Sequence, residues 1–170
     1  MILHSFEYSE FQGHPRAWRL SLTEFGPINL VVGRNAAGKS RLLKVIHAFT
    51  QLVAGKQKEL FSSGDWGVDL ETPAGEHFTY KCALENKEVA SENLCLNGEL
   101  LLDRANGRFP GRIKAASRPG EFDDFQIKPD QLAIYSKRDS IQQPHLELIA
   151  DWAARRYSSS CASEFRSNQV

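Results

Sequence analysis

Apolar and polar positions alternate from the start of the chain. Ile2, Phe6 and Tyr8 roughly alternate with polar neighbours, as on a strand with one covered face. Trp18, Leu20 and Leu22 repeat the pattern after a turn at Gln12-Gly13-His14-Pro15, and Phe25-Gly26-Pro27 breaks the chain. Residues 28–32 carry Ile28, Leu30, Val31 and Val32, a short, mostly apolar run suited to a strand covered on both faces. Residues 33–39 are rich in glycine and alanine. From Ser40 the period becomes helical: Leu42, Ile46, Phe49 and Val53 form a stripe that Leu43, Val45 and Leu52 widen, and Gly55 supplies a stop.

Residues 56–66 are polar and read as a loop. After Trp66 the pattern is β again, with turns at Pro73-Ala74-Gly75, Asn97-Gly98 and Asn106-Gly107. Asn-Gly is a strong hairpin signal because both residues accept positive φ. The stretches around 78–84, 93–96 and 100–102 therefore read as an antiparallel meander. Residues 110–130 hold three prolines and few apolar residues, which predicts an exposed connection. Residues 132–135 read as another short strand. Pro144 opens a helix at its favoured first position, with Leu146, Ile149, Trp152 and Ala153 as its buried stripe and Arg155-Arg156 near its C-terminal end. Residues 158–170 read as a loose polar tail.

Composition narrows the function. Lys plus Arg total 21 and Asp plus Glu total 21, so the formal net charge is zero and a chain basic throughout is excluded. No run approaches the roughly 18 apolar residues of a membrane-spanning helix. The N-terminus lacks the basic start and apolar stretch of a secretory signal. Cys82, Cys95 and Cys161 are too few and too scattered for a disulfide framework or a zinc site. These features together predict a cytoplasmic protein.

The chemistry is concentrated in one block. Gly33-Arg34-Asn35-Ala36-Ala37-Gly38-Lys39-Ser40 fits G-x-x-x-x-G-K-[ST], the Walker A phosphate loop. The glycines let successive N–H groups turn inward towards an anion, and the helix that follows adds its positive end. Lys39 supplies a charge for the β- and γ-phosphates and is the predicted catalytic residue. The Ser40 hydroxyl is placed to ligate Mg2+. Residues 33–40 and Arg41 in the first helical turn make up the predicted nucleotide-binding set. The base cannot be read from this motif.

The hairpin start and the block Asn29, Leu30, Val31, Val32, Gly33, Asn35, Gly38, Lys39, Ser40, Leu42 and Leu43 resemble the N-terminal lobe of the RecF/SMC/OLD-type ATPases, ABC-class heads among the AAA family ATPases. Asn35 is more typical of that class than of kinases or small GTPases. Glu92, Leu94, Arg104 and Gly107 stand where such proteins often carry a hairpin beside the nucleotide. The resemblance covers most of residues 1–157. It implies an α/β P-loop NTPase fold with a mixed, partly parallel sheet carrying the phosphate loop. It divides residues 1–157 into hairpin, phosphate loop and helix (1–55), antiparallel β-subdomain (66–109), exposed connection (110–130) and strand with helix (132–157).

The resemblance also implies binding of ATP and Mg2+ and head-to-head pairing, with a homodimer or a partner subunit supplying signature and Walker B motifs. A Q-loop glutamine touching Mg2+ and the attacking water falls to Gln142 or Gln143, with Gln142 ahead as a catalytic and metal-binding residue. The Leu100-Leu101-Leu102-Asp103 stretch superficially resembles a Walker B strand, but Arg104 follows it and it reads as a hairpin strand. The missing motifs normally lie in a C-terminal half, so the chain resembles the N-terminal lobe of a longer ATPase, incomplete for hydrolysis alone. DNA repair, or defence against phage or foreign DNA, is the implied role. DNA is a candidate partner through Arg16 with Arg19, Lys137-Arg138 and Arg155-Arg156. The alternatives are a non-hydrolysing nucleotide-binding assembly module and, less favoured, a P-loop kinase.

Overall fold

The computed structural model describes residues 1–35, 37–57, 59–104, 110–118 and 120–164, with side chains through residue 156. The chain divides into two compact units, one of Met1–Leu30 and Glu59–Leu132, the other of Val31–Lys58 and the described residues from Ala133 onward.

The first unit is an eight-stranded sheet in the order β2-β1-β3-β4-β5-β6-β7-β8. Its strands are β1 (Ile2–Glu10), β2 (Trp18–Glu24), β3 (Ser63–Glu71), β4 (His77–Glu85), β5 (Glu88–Leu96), β6 (Glu99–Arg104), β7 (Gly111–Lys114) and β8 (Phe122–Phe125). Every pair is antiparallel. Two-residue turns explain part of this. Asn86 and Lys87 at φ 52° and 66°, and Asn97 and Gly98 at φ 50° and 82°, bend the chain straight back. Period-2 patterning explains the core: Phe6, Tyr8, Trp66, Val68, Leu70, Phe78, Tyr80, Leu84, Leu94 and Leu102 are buried.

This sheet overturns the expected α/β P-loop NTPase architecture. No strand pair is parallel among the described residues, and the run expected to lead into the phosphate loop is not a strand. In residues 28–32, Ile28, Leu30 and Val32 are 93%, 85% and 74% exposed. An apolar run becomes a strand only where a neighbour supplies its ladder of hydrogen bonds. The sheet closes its order between β2 and β8 without this segment.

Three local expectations also change. Residues 110–130, read as a connection, hold β7 and β8, which pair over Gly111↔Phe125 to Lys114↔Phe122. Pro110 and Pro129 lie outside these strands, while Gly111, Ile113 and Phe125 face inward. Residues 132–135, read as a strand, hold a helical turn, α2 (Ala133–Ser136), closed by the Lys137 N–H donating to the Ala133 carbonyl at 2.8 Å. A four-residue apolar run has no period by which to tell strand from helix. The helix at Pro144 is α3 (Pro144–Glu164), which runs past Arg155-Arg156 through much of the expected tail. The Asn106-Gly107 turn lies outside the described residues.

In the second unit α1 (Lys39–Val53) packs on α3. Phe49, Leu52 and Val53 are buried and Leu42, Val45 and Ile46 half-buried, so the predicted stripe holds except at exposed Leu43. Leu146, Ile149, Trp152 and Ala153 are buried as the spacing predicts. Gly55 ends α1 at φ 67°, with its own N–H bonded to Leu52 O and that of Lys56 to Gln51 O, which satisfies carbonyls the helix would leave open.

Candidate functional site

The predicted phosphate loop lies in the second unit, between the exposed apolar run and α1. Gly33, Arg34, Asn35 and Ala37 are exposed, and Ala36 lies outside the described residues. The Ala37 N–H donates to the Arg34 carbonyl at 3.2 Å, which turns the loop back on itself. Gly38 takes the left-handed conformation, φ 87°, and its carbonyl accepts the Leu42 N–H at 3.0 Å as the first bond of the helix. A side chain larger than hydrogen would resist that φ, which is why the motif needs glycine there.

Lys39 folds back over the loop. Its Nζ donates to the Gly33 and Arg34 carbonyls, both at 2.7 Å. The start of α1 has no side-chain cap and no acidic residue in its first turn. The helix therefore begins with its positive end unmasked by side chains and with Lys39 beside it, a setting in which an anion is stabilised. Ser40 and Arg41 are exposed at the same end. An exposed serine hydroxyl and a lysine ammonium on one loop suit a Mg2+-phosphate ligand, the hydroxyl for the metal and the ammonium for the oxygens. Among the described residues, no group of three or more His, Cys, Asp and Glu side chains is placed to hold a metal ion by itself.

Gln142 lies in a tight loop before α3. Asp139 Oδ1 accepts the backbone N–H groups of Ile141 at 2.8 Å and Gln142 at 2.7 Å. Those two bonds stabilise the carboxylate and hold the Asp139 pKa below its ordinary value. The Gln142 side chain is exposed, and no hydrogen bond among the described residues joins it to residues 33–40. Gln143 is half-buried and donates its N–H to the Asp139 carbonyl.

No family model matches the chain, and neither curated proteins nor solved structures give a match. What the molecule can do is therefore argued from its own groups.

The sequence pattern missed a second polar cluster, in the sheet. Cys82, Glu92 and Arg104 stand opposite one another across β4, β5 and β6. Glu92 and Arg104 are buried at 0% and 1% exposure, which sets them apart from ordinary surface charges. Tyr80 Oη donates to Glu92 Oε1 at 2.9 Å. Arg104 donates from its two terminal nitrogens to the carbonyls of Gln131 at 2.6 Å and Lys128 at 3.3 Å. Burial and then the Glu92 charge push the Tyr80 hydroxyl and the Cys82 thiol well above their ordinary pKa values. Burial lowers the Arg104 pKa while Glu92 opposes the change. These groups tie strands together and leave no acid free for chemistry. Only register brings them together, and the resemblance had marked Glu92 and Arg104 without Tyr80 or Cys82.

Asp103, the superficial Walker B candidate, lies in β6 as the hairpin reading expects. It accepts from Asn93 Nδ2 and Arg112, each at 2.7 Å. Trp66, a candidate to stack on a base, is 3% exposed and packs on Tyr8 at 5.0 Å between ring centroids. Trp18 lies half-buried against the same ring. Of the basic pairs, Arg138 stacks over Tyr135 and reaches Glu147 at 3.9 Å. No described helix is long and apolar enough to cross a membrane.

Proposed function

We propose that residues 33–40 grip the phosphates of Mg-ATP and that the chain is the ATP-binding lobe of a RecF/SMC/OLD-like ATPase. Its action in the cytoplasm, in DNA repair or in defence against phage or foreign DNA, follows from the same resemblance. A second copy or a partner subunit would supply the signature and Walker B groups, and DNA stays a proposed partner. What supports the reading is the coincidence of the motif spacing with the Lys39 geometry: the amine sits at the mouth of a loop whose helix starts uncapped. Mg2+ neutralises phosphate charge when bound. On the protein, Lys39 would exchange its two carbonyl contacts for phosphate oxygens, the loop N–H groups and the start of α1 would orient them, and the Ser40 hydroxyl would help hold the metal. Gln142 stays the proposed water-positioning residue.

Binding without turnover is the second reading, and the engagement of Asp103 by Asn93 and Arg112 favours it for the chain alone. Calorimetry with Mg-ATP tests both. Lys39→Ala loses a charge-assisted contact, so its affinity should fall by about tenfold or more; equal binding by wild type and variant overturns the proposal. In the same samples phosphate release should be slow, because phosphoryl transfer needs groups that orient water and clamp charge. Ordinary turnover that disappears in Asp103→Asn would instead make Asp103 the acid of a complete site.

A further inference from the structure

This inference rests on the phosphate-loop reading and concerns how that loop tells one nucleotide from another. Lys39 Nζ lies 2.7 Å from the carbonyls of both Gly33 and Arg34. In a loop of this kind the lysine serves the β- and γ-phosphates, so the resting position of its amine marks residues 33 and 34 as the end of the loop nearest the terminal phosphate. The Arg34 backbone is fixed there by two donors, the Lys39 amine and the Ala37 N–H. Its side chain is exposed, and no ion pair or ring contact engages it among the described residues. Three arginines of the sheet are held by partners, Arg104 by carbonyls, Arg112 by Asp103 and Arg118 by Glu121 and Asp123. A planar guanidinium can hold two oxygens of one phosphate at once, which an ammonium cannot do. The first turn of α1 carries no acid that would compete for it.

We propose that Arg34 is the residue that recognises the γ-phosphate, so that the site prefers a nucleoside triphosphate to the diphosphate. Lys39 then supplies affinity for either nucleotide, and Arg34 supplies the difference between them. The test is calorimetry of the full chain with Mg-ATP and with Mg-ADP, on wild type, Arg34→Ala, Arg34→Lys and Lys39→Ala. Arg34→Ala should weaken Mg-ATP by about tenfold, the worth of a charge-assisted phosphate contact, and leave Mg-ADP within about twofold. Arg34→Lys should fall between, because it keeps the charge and loses the fork. Arg34 is exposed, so unchanged far-ultraviolet dichroism is expected for its variants. An Arg34→Ala protein whose ATP-to-ADP preference equals that of wild type, with Lys39→Ala still weakened for both nucleotides, overturns the proposal and leaves the loop reading standing. Wild-type binding of neither nucleotide, or undiminished binding by Lys39→Ala, overturns the loop reading and this inference with it.

Discussion

Glu92 and Arg104 each bury a full side chain in the sheet, and the charge of Glu92 favours the charged form of Arg104. Arg104 is supported by the Glu92 charge opposite it and by two backbone carbonyls from the segment after β8. Removing Glu92 takes the opposite charge from a buried guanidinium and an acceptor from Tyr80 Oη. Breaking a buried pair from one side costs about 3–5 kcal/mol. Glu92→Ala should lose that much stability in urea titration. Glu92→Gln should lose less, because an amide oxygen still accepts from Tyr80. A Glu92→Ala protein as stable as wild type would mean that the pair contributes nothing beyond volume.

At the scale of elements, β7 and β8 depend on one ring. Gly111 stands opposite Phe125, and a Cβ at Gly111 would meet the Phe125 ring at 2.5 Å. The end of the ring therefore fills the space that a side chain at residue 111 would need, and covers backbone that Gly111 leaves bare. Glycine opens β7 and two aspartates fill the middle of β8, so neither segment has the composition of a strand. Edge strand β8 is short and carries Asp123 and Asp124, which discourages a further strand from adding there. Phe125→Ala removes the covering ring; a buried Phe→Ala change costs about 3–5 kcal/mol where the site cannot collapse. The expected result is fast hydrogen exchange at the amides of positions 113 and 125 with the amides of β3 and β4 still protected. Protection lost evenly across all eight strands would show instead that the hairpin unfolds only with the whole sheet.

At the scale of the molecule, residues 28–32 put an apolar surface in solvent directly before the phosphate loop. Exposed apolar runs promote association because burial of each methylene gains about 0.8 kcal/mol. The chain should self-associate as its concentration rises in sedimentation velocity, and the double variant Ile28→Thr with Leu30→Ser should stay monomeric over the same range. A wild-type chain that is monomeric throughout would show that this run is harmless in water. Because Ile28 and Leu30 lie outside residues 33–40, the variant should keep its Mg-ATP affinity if that loop binds nucleotide.

The sequence by itself determined what local chemistry decides. Period-2 and helical stripes marked β1, β2, α1 and the start of α3, because side-chain spacing is a property of the backbone conformation alone. Asn97-Gly98 turned as the residues require, Gly55 stopped α1, and the block at residues 33–40 stood out because glycine and lysine spacing is itself the chemistry. Only the tertiary structure decided the rest. Residues 28–32 carry the composition of a covered strand, yet a strand exists only where another offers its hydrogen bonds, and composition does not say whether one does. Residues 132–135 were too short for period to speak. Cys82, Glu92 and Arg104 lie 22 positions apart from first to last in the chain and meet only because register aligns three strands. Fold class fell to the same cause: hydrogen-bond partners, and so the direction of every strand, are chosen by the whole sheet at once, whereas a phosphate-loop motif fixes only its own eight residues.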